Sequence, residues 1–246
     1  MEKTWLKNKK NRLLLILVMC LVLAIVMIAS AFFGAVSVSV GDILGNINRN
    51  IFNLRFQRIM LAVLVGGGLS VAGLVFQSIL RNPLADPYVL GVSSGGGLGV
   101  VIMMILGIGL LLEVIGIGTV FLFSRELDIL SLGEEEARAL GVETERIKKF
   151  LLLVASLITA AAVSFCGIIG FVGLIVPHTM RLLLNNEHRL LIPACFLGGA
   201  IFLVVSDTLA RKLIMPVEIP IGVITALIGG PMFIYLLQRK KKILFK

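Results

Sequence analysis

The sequence predicts an all-α membrane protein, a polytopic bundle of about eight transmembrane helices in which residues 1–246 form a single domain. Of the 246 residues, 58% are hydrophobic, and the 26 glycines bring the apolar fraction to about 69%, against about 45–50% in soluble domains. Charged residues make up only 15% of the chain, and several long stretches contain none. A water-soluble domain of this size could not bury so much apolar surface, so the expected solvent is lipid.

Eight apolar stretches are candidate spans, because a crossing helix needs about 20 mostly apolar residues. The first is too long for the apolar part of a cleaved signal peptide and is expected to be retained. The weakest pair lies within 89–124, where Glu113 separates two stretches and the 36 residues are short for two full crossings. We expect two tilted or partial crossings there; a single long crossing is the alternative and would place the basic loop at 138–149 outside. The candidate spans cover residues 13–41, 59–80, 89–112, 114–124, 190–206 and 219–238, with two more between 150 and 184.

The net charge of +9 is concentrated beside the spans rather than on a soluble surface. Basic clusters at 3–12 and 239–246 flank the first and last spans, which favours a cytoplasmic position for both termini. An even number of spans agrees with that orientation. A nucleic-acid-binding surface would need basic residues on a folded soluble face, and the pattern offers none.

Two segments between spans carry distinctive patterns. Residues 81–97 contain Pro83 and Pro87, which cannot both lie inside one regular helix, so a rigid corner is expected; a well-capped turn is the simpler alternative. Residues 131–142 place acidic residues at the start of a short helix and Arg138 near its end, as the helix dipole favours. This helix is either a docking element for a soluble partner or an ordinary solvated loop helix.

Two further segments concern the second half of the chain. Glycines at every third position of 167–173, followed by Pro177, predict a broken or tightly packed membrane segment. His178 could relay protons, but an interfacial structural role is favoured because no carboxylate is expected at the same depth. Residues 207–220 combine charges and prolines, which is typical of the outer end of a span followed by a fixed re-entry.

Taken together and in this order, these segments resemble the FecCD/cobalamin-type permeases of type II ABC importers, which carry ferric siderophores, haem and cobalamin. The resemblance covers most of residues 54–112 and almost all of 124–242. Relative to that family, which usually has about ten spans, the chain lacks about eighty residues between positions 112 and 124. The matching stretches read RNPLADPYVLGVSSG, LSLGEEEARALGV, GFVGLIVPHTMR, SDTLARKL and VEIPIGVITALIGGPMFIYLL.

The resemblance implies partners and roles for individual residues. Such permeases pair as dimers, bind two ATPase subunits on the cytoplasmic face and receive a substrate-binding protein outside; homodimer and heterodimer both remain open here. Asn82 and Leu84 would form the cytoplasmic gate, and Arg55, Arg58 and Arg211 would receive carboxylates of the binding protein. The residues implied at the ATPase-coupling surface are Gly133, Glu134, Glu135, Ala137, Arg138, Leu140 and Gly141.

The expected function is therefore that of a permease subunit in the cell membrane, transporting a ferric siderophore or related iron chelate. No GxxxxGK[ST] motif occurs, so ATP would be bound by a separate subunit, and no cofactor or metal is expected. The alternative is an internally deleted homologue that inserts without transporting. A membrane-embedded enzyme is disfavoured because the sequence lacks a plausible set of catalytic groups. A proton-driven transporter would need a buried acidic relay, and the candidates Glu113, Asp207 and Glu218 are instead interpreted as boundary residues.

Overall fold

The computed structural model describes residues 9–32, 49–87, 107–184, 186–214 and 218–244, and all regular structure in these ranges is helical. The predicted all-α class is therefore confirmed. In chain order the helices are α1 (Lys9–Phe32), α2 (Arg49–Ile79), α3 (Gly109–Leu122), α4 (Ser124–Leu132), α5 (Glu134–Ala139), α6 (Thr144–Cys166), α7 (Val172–Leu184), α8 (His188–Lys212) and α9 (Ile221–Leu244).

Four of the described helices, α1, α2, α6 and α8, are long and apolar enough to cross a membrane, and α3, α7 and the first part of α9 are shorter apolar helices. Residues 89–106 of the predicted span at 89–112 lie outside the described residues. Helix α3 has 14 residues, which is about 21 Å of helix against a hydrocarbon core of about 30 Å. Its length fits the partial crossing expected for this part of the chain.

Helix α2 forms the centre of the bundle and packs against α6, α7 and α8. Its middle is fully buried, with Val65, Val71, Leu74 and Val75 at 0–1% exposure. By contrast, α1 exposes most of its leucines, as expected for a helix at the lipid-facing edge.

Glycines bring the central helices into backbone contact. A Cβ added to Gly66 of α2 would lie 2.4 Å from the carbonyl oxygen of Gly199 in α8, and one on Gly73 would lie 1.9 Å from that of Gly173 in α7. Small residues allow such close approach in membranes, where van der Waals packing replaces the hydrophobic effect between helices. The predicted tight packing of the glycine-rich segment is thus present.

The predicted break in that segment lies between α6 and α7. Gly167 ends α6 with a φ of +72°, and Phe171 precedes α7 with a φ of +71°. Glycine adopts this left-handed conformation without steric cost, whereas a residue with a side chain does not. Pro177 lies inside α7, so the chain turns at residues 167–171, between Gly167 and Phe171, and not at the proline.

One acidic residue expected at a span boundary lies elsewhere. Glu113 is the fifth residue of α3 and is 0% exposed, so the boundary interpretation was wrong for it because that interpretation equated a charge with a helix end. Asp207 lies near the end of α8 at 1% exposure, and its position at a span boundary stays a prediction. Glu218 does lie at a boundary, in the non-helical stretch before α9.

Candidate functional site

The arginines implied in docking gather at one end of α2. Arg58 donates from Nε to Oδ1 of Asp207 over 2.8 Å and from Nη1 to Oε2 of Glu218 over 2.9 Å. Arg211 approaches the second oxygen of Asp207, with 3.0 Å between Nε and Oδ2. A single carboxylate therefore holds arginines from α2 and α8, which are distant in sequence.

The third arginine, Arg55, joins this cluster less directly. Its Nη1 donates to the carbonyl oxygen of Ala31 at 3.3 Å, and it lies within electrostatic range of Arg211. Arg211 also donates from Nη2 to the hydroxyl of Ser30 at 2.8 Å. The end of α1 thus packs over the two arginines, which are 9% and 6% exposed, while the Arg58 side chain is 36% exposed.

The predicted corner lies beyond the opposite end of α2. About 31 Å of helix separates Arg58 from Ile79, close to the thickness of a bilayer core. Residues 81–87 are non-helical, as expected. The side-chain oxygen of Asn82 accepts the backbone N–H of Leu84 at 3.0 Å, an Asx-type turn that fixes the corner locally.

The short helix predicted at 131–142 is present as α5, which ends before Gly141 at a φ of +80°. Ala137 is fully buried and anchors the helix, whereas Glu135, Arg138 and Leu140 face outward. A buried small residue beneath an exposed charged surface gives a rigid element that a soluble partner can contact.

Helix α5 is linked electrostatically to its surroundings. Lys148 of α6 forms an ion pair with Glu134, and this hydrogen bond lowers the pKa of Glu134, with smaller contributions from Arg81 and Arg138. Because Arg81 lies two residues beyond the end of α2 and begins the corner, the first turn of α5 and the corner lie within electrostatic range of each other. The implied gate and the implied coupling helix therefore lie on the same side of the bundle.

A buried polar network next to the corner was not predicted from the sequence. The His188 ring lies 2.7 Å from the hydroxyl of Ser78 through Nε2 and 2.7 Å from Asp128 through Nδ1. Arg181 donates to the same hydroxyl at 2.7 Å. Together these groups join α2, α4, α7 and α8 beside a cavity of about 150 Å³ that Arg81 and Pro83 also line. The hydrogen-bonded pairs lie 60 to 110 residues apart along the chain, so no local pattern signals the network.

Sequence comparisons identify related proteins for nearly the whole chain. The FecCD transport family matches residues 21–114 and 106–239. The cobalamin import system permease protein BtuC of Halobacterium salinarum is 34% identical, covering 76% of this chain and 73% of that protein. The Fe(3+)-citrate import system permease protein YfmE of Bacillus subtilis is 30% identical, covering 97% of this chain and 98% of that protein.

A solved structure described as an inward-facing ABC transporter of the metal-chelate type has the same fold. It superposes with a TM-score of 0.81 at 26% identity, over 92% of this chain and 99% of that one. The YfmE alignment runs over 328 positions, whereas 97% of 246 residues is about 239, so about 89 aligned positions have no residue of this chain. The two family matches meet at 106–114, near the gap expected after position 112.

Proposed function

This chain belongs to the FecCD transport family, and on that premise we propose that it is the permease subunit of an importer for a ferric siderophore or related iron chelate. That it is an ABC importer permease and a multi-pass membrane protein follows from its relatives and its apolar helices. The iron-chelate substrate is supported by the relative named for Fe(3+)-citrate, although a cobalamin permease is also among the relatives.

The observation that carries the mechanism is the placement of three sites at the two ends of α2. We assign the cluster of Arg55, Arg58 and Arg211 to the outer face, where a substrate-binding protein docks. The Asn82–Leu84 corner and α5 belong to the cytoplasmic face with both termini. ATP-driven movement of two ATPase subunits then reaches the corner through α5, because Arg81, which begins the corner, lies within electrostatic range of Glu134 in α5.

The second candidate is a homologue that assembles but does not transport. It is favoured by the gap of about 89 positions in the YfmE alignment. The absent stretch corresponds to the fourth and fifth spans and part of the sixth in the family resemblance, and the fifth would line the substrate path. A permease dimer with an intact second subunit could still supply one complete wall.

Reconstitution distinguishes the two candidates. The chain would be placed in proteoliposomes with its ATPase and binding protein, and ATP-dependent uptake of 55Fe-labelled ferric siderophore compared with uptake of labelled haem and cobalamin. Uptake of iron that stops without ATP supports the iron-chelate importer. Uptake of cobalamin or haem alone refutes the proposed iron-chelate specificity. Assembly of the complex with no uptake of any of the three supports the transport-defective homologue.

A further inference from the structure

Arg58, the most exposed arginine of the cluster, is already paired with a carboxylate of the chain itself. The Glu218 carboxylate lies 2.9 Å from Nη1 of Arg58, and its side chain is 55% exposed. Asp207, which contacts Nε of the same guanidinium, is 1% exposed. One counter-charge is therefore fixed inside the bundle and the other lies at its surface.

The two carboxylates differ in how firmly they are held. Asp207 lies inside α8 and contacts both Arg58 and Arg211. Glu218 lies in non-helical backbone before α9, tied to α8 by the hydrogen bond from the Ile219 N–H to the Ala210 carbonyl at 3.2 Å. The Glu218 side chain can swing away without breaking a helix, whereas moving Asp207 would disrupt the packing of α8.

Arg58 is the arginine of the cluster that a docking partner can reach. Its side chain is 36% exposed, whereas Arg55 and Arg211 are 9% and 6% exposed. An incoming carboxylate can therefore pair with Arg58 once Glu218 withdraws. Arg is suited to such an exchange because its planar guanidinium can donate to two carboxylate partners from different nitrogens.

We propose that Glu218 is an internal substitute for a partner carboxylate: it caps Arg58 when the outer face is empty and is displaced by an acidic side chain of the docking protein. The proposal rests on the docking role assigned to the arginines above. Asp207 is the positioning residue, which keeps Arg58 and Arg211 oriented during the exchange. Glu218 thereby lowers the affinity of docking and favours release of the binding protein.

The first test needs no partner. Phenylglyoxal modifies accessible arginines, and the rate of modification of Arg58 is measured by mass spectrometry on the full chain in lipid nanodiscs. Glu218→Gln should raise this rate by about threefold or more. Glu143→Gln is the matched control, because Glu143 and Arg146 form another exposed pair at 2.9 Å, at the start of α6 and far from Arg58; it should leave Arg58 labelling unchanged. An unchanged Arg58 rate in Glu218→Gln overturns the capping role.

The second test measures docking of the binding protein that stimulates the ATPase activity of the reconstituted transporter. Because an exposed ion pair is weak, Glu218→Gln should tighten binding by about twofold to fivefold, chiefly by slowing dissociation. Equal or weaker binding by Glu218→Gln overturns the exchange. A different result would show that the arginines have no docking role. In that case the Arg58→Ala variant would bind the substrate-binding protein as tightly as the wild type does, whatever the labelling result.

Discussion

Replacing Gly73 by Ala tests whether backbone contact between α2 and α7 holds the centre of the bundle together. The added Cβ would lie 1.9 Å from the carbonyl oxygen of Gly173 and 2.5 Å from its carbonyl carbon and Cα. Ordinary contact begins at about 3.4 Å, so the two helices would have to separate by more than 1 Å. All three opposing atoms are backbone, and no side chain can rotate away to relieve the clash.

The expected cost has two parts. Overpacking of a close-packed interior typically destabilises by about 1–3 kcal/mol. The same seam carries hydrogen bonds from Nε2 of Gln77 to the carbonyls of Gly173 and Leu174 at 3.1 and 3.0 Å, and one intramolecular hydrogen bond contributes about 1 kcal/mol. Gly73→Ala should therefore reduce the free energy of unfolding by about 2–4 kcal/mol.

The assay is reversible unfolding in mixed micelles of dodecyl maltoside and increasing SDS, monitored by far-UV circular dichroism. Gly118→Ala in α3 is the matched control, since no atom lies within 4 Å of its added Cβ and alanine favours the helix by up to about 1 kcal/mol relative to glycine. A Gly73→Ala protein as stable as the Gly118→Ala protein would refute the packing argument.

Three further changes test other parts of the structure. Glu113→Gln should leave the free energy of unfolding unchanged or raise it by about 1 kcal/mol in the same assay. Neither carboxylate oxygen of this buried residue has a partner among the described residues, and an amide costs less free energy to bury than an ionised carboxylate. A large loss of stability would show that Glu113 does have a partner. Asp128→Ala should destabilise the chain by about 1–3 kcal/mol by removing the acceptor for the backbone N–H and the ring of His188, and an unchanged unfolding midpoint would contradict this. Joint replacement of Glu135 and Arg138 by Ala should abolish ATP-dependent uptake in proteoliposomes while membrane insertion stays normal, and undiminished uptake would remove α5 from the coupling path.

Hydropathy located most of the described spans but not the ends of their helices. Helix α2 begins at Arg49, ten residues before the predicted span, and α8 continues to Lys212, six residues beyond it. A charged residue ends an apolar run without ending a helix, since Arg and Lys are good helix formers. The sequence pattern therefore marks where lipid contact ceases, and the backbone continues past that point.

The arginine cluster was only partly predictable. Asp207 and Arg211 lie four residues apart, which places their side chains on one face of a helix, so this contact could have been found from the sequence. The contact between Arg58 and Asp207 joins positions 149 residues apart, and only the packing of α2 against α8 creates it. The corner and α5 were easier to predict from the sequence, because prolines, a terminal glycine and a run of acidic residues determine the structure of neighbouring residues.

The junction at 106–114 shows why fold and transport must be tested separately. Helix α3 runs without interruption through the point where the two family matches meet, and it packs closely: an added Cβ on Gly116 would touch Ile158 of α6. The bundle keeps the fold of a related transporter, but it encloses the Glu113 carboxylate beside Gly68 of α2, with no hydrogen-bond partner for it among the described residues. The arginine cluster, the corner and α5 all lie outside the gap. We therefore expect assembly and stimulated ATPase activity to persist even if the substrate path is incomplete, and only uptake reports whether the path is complete.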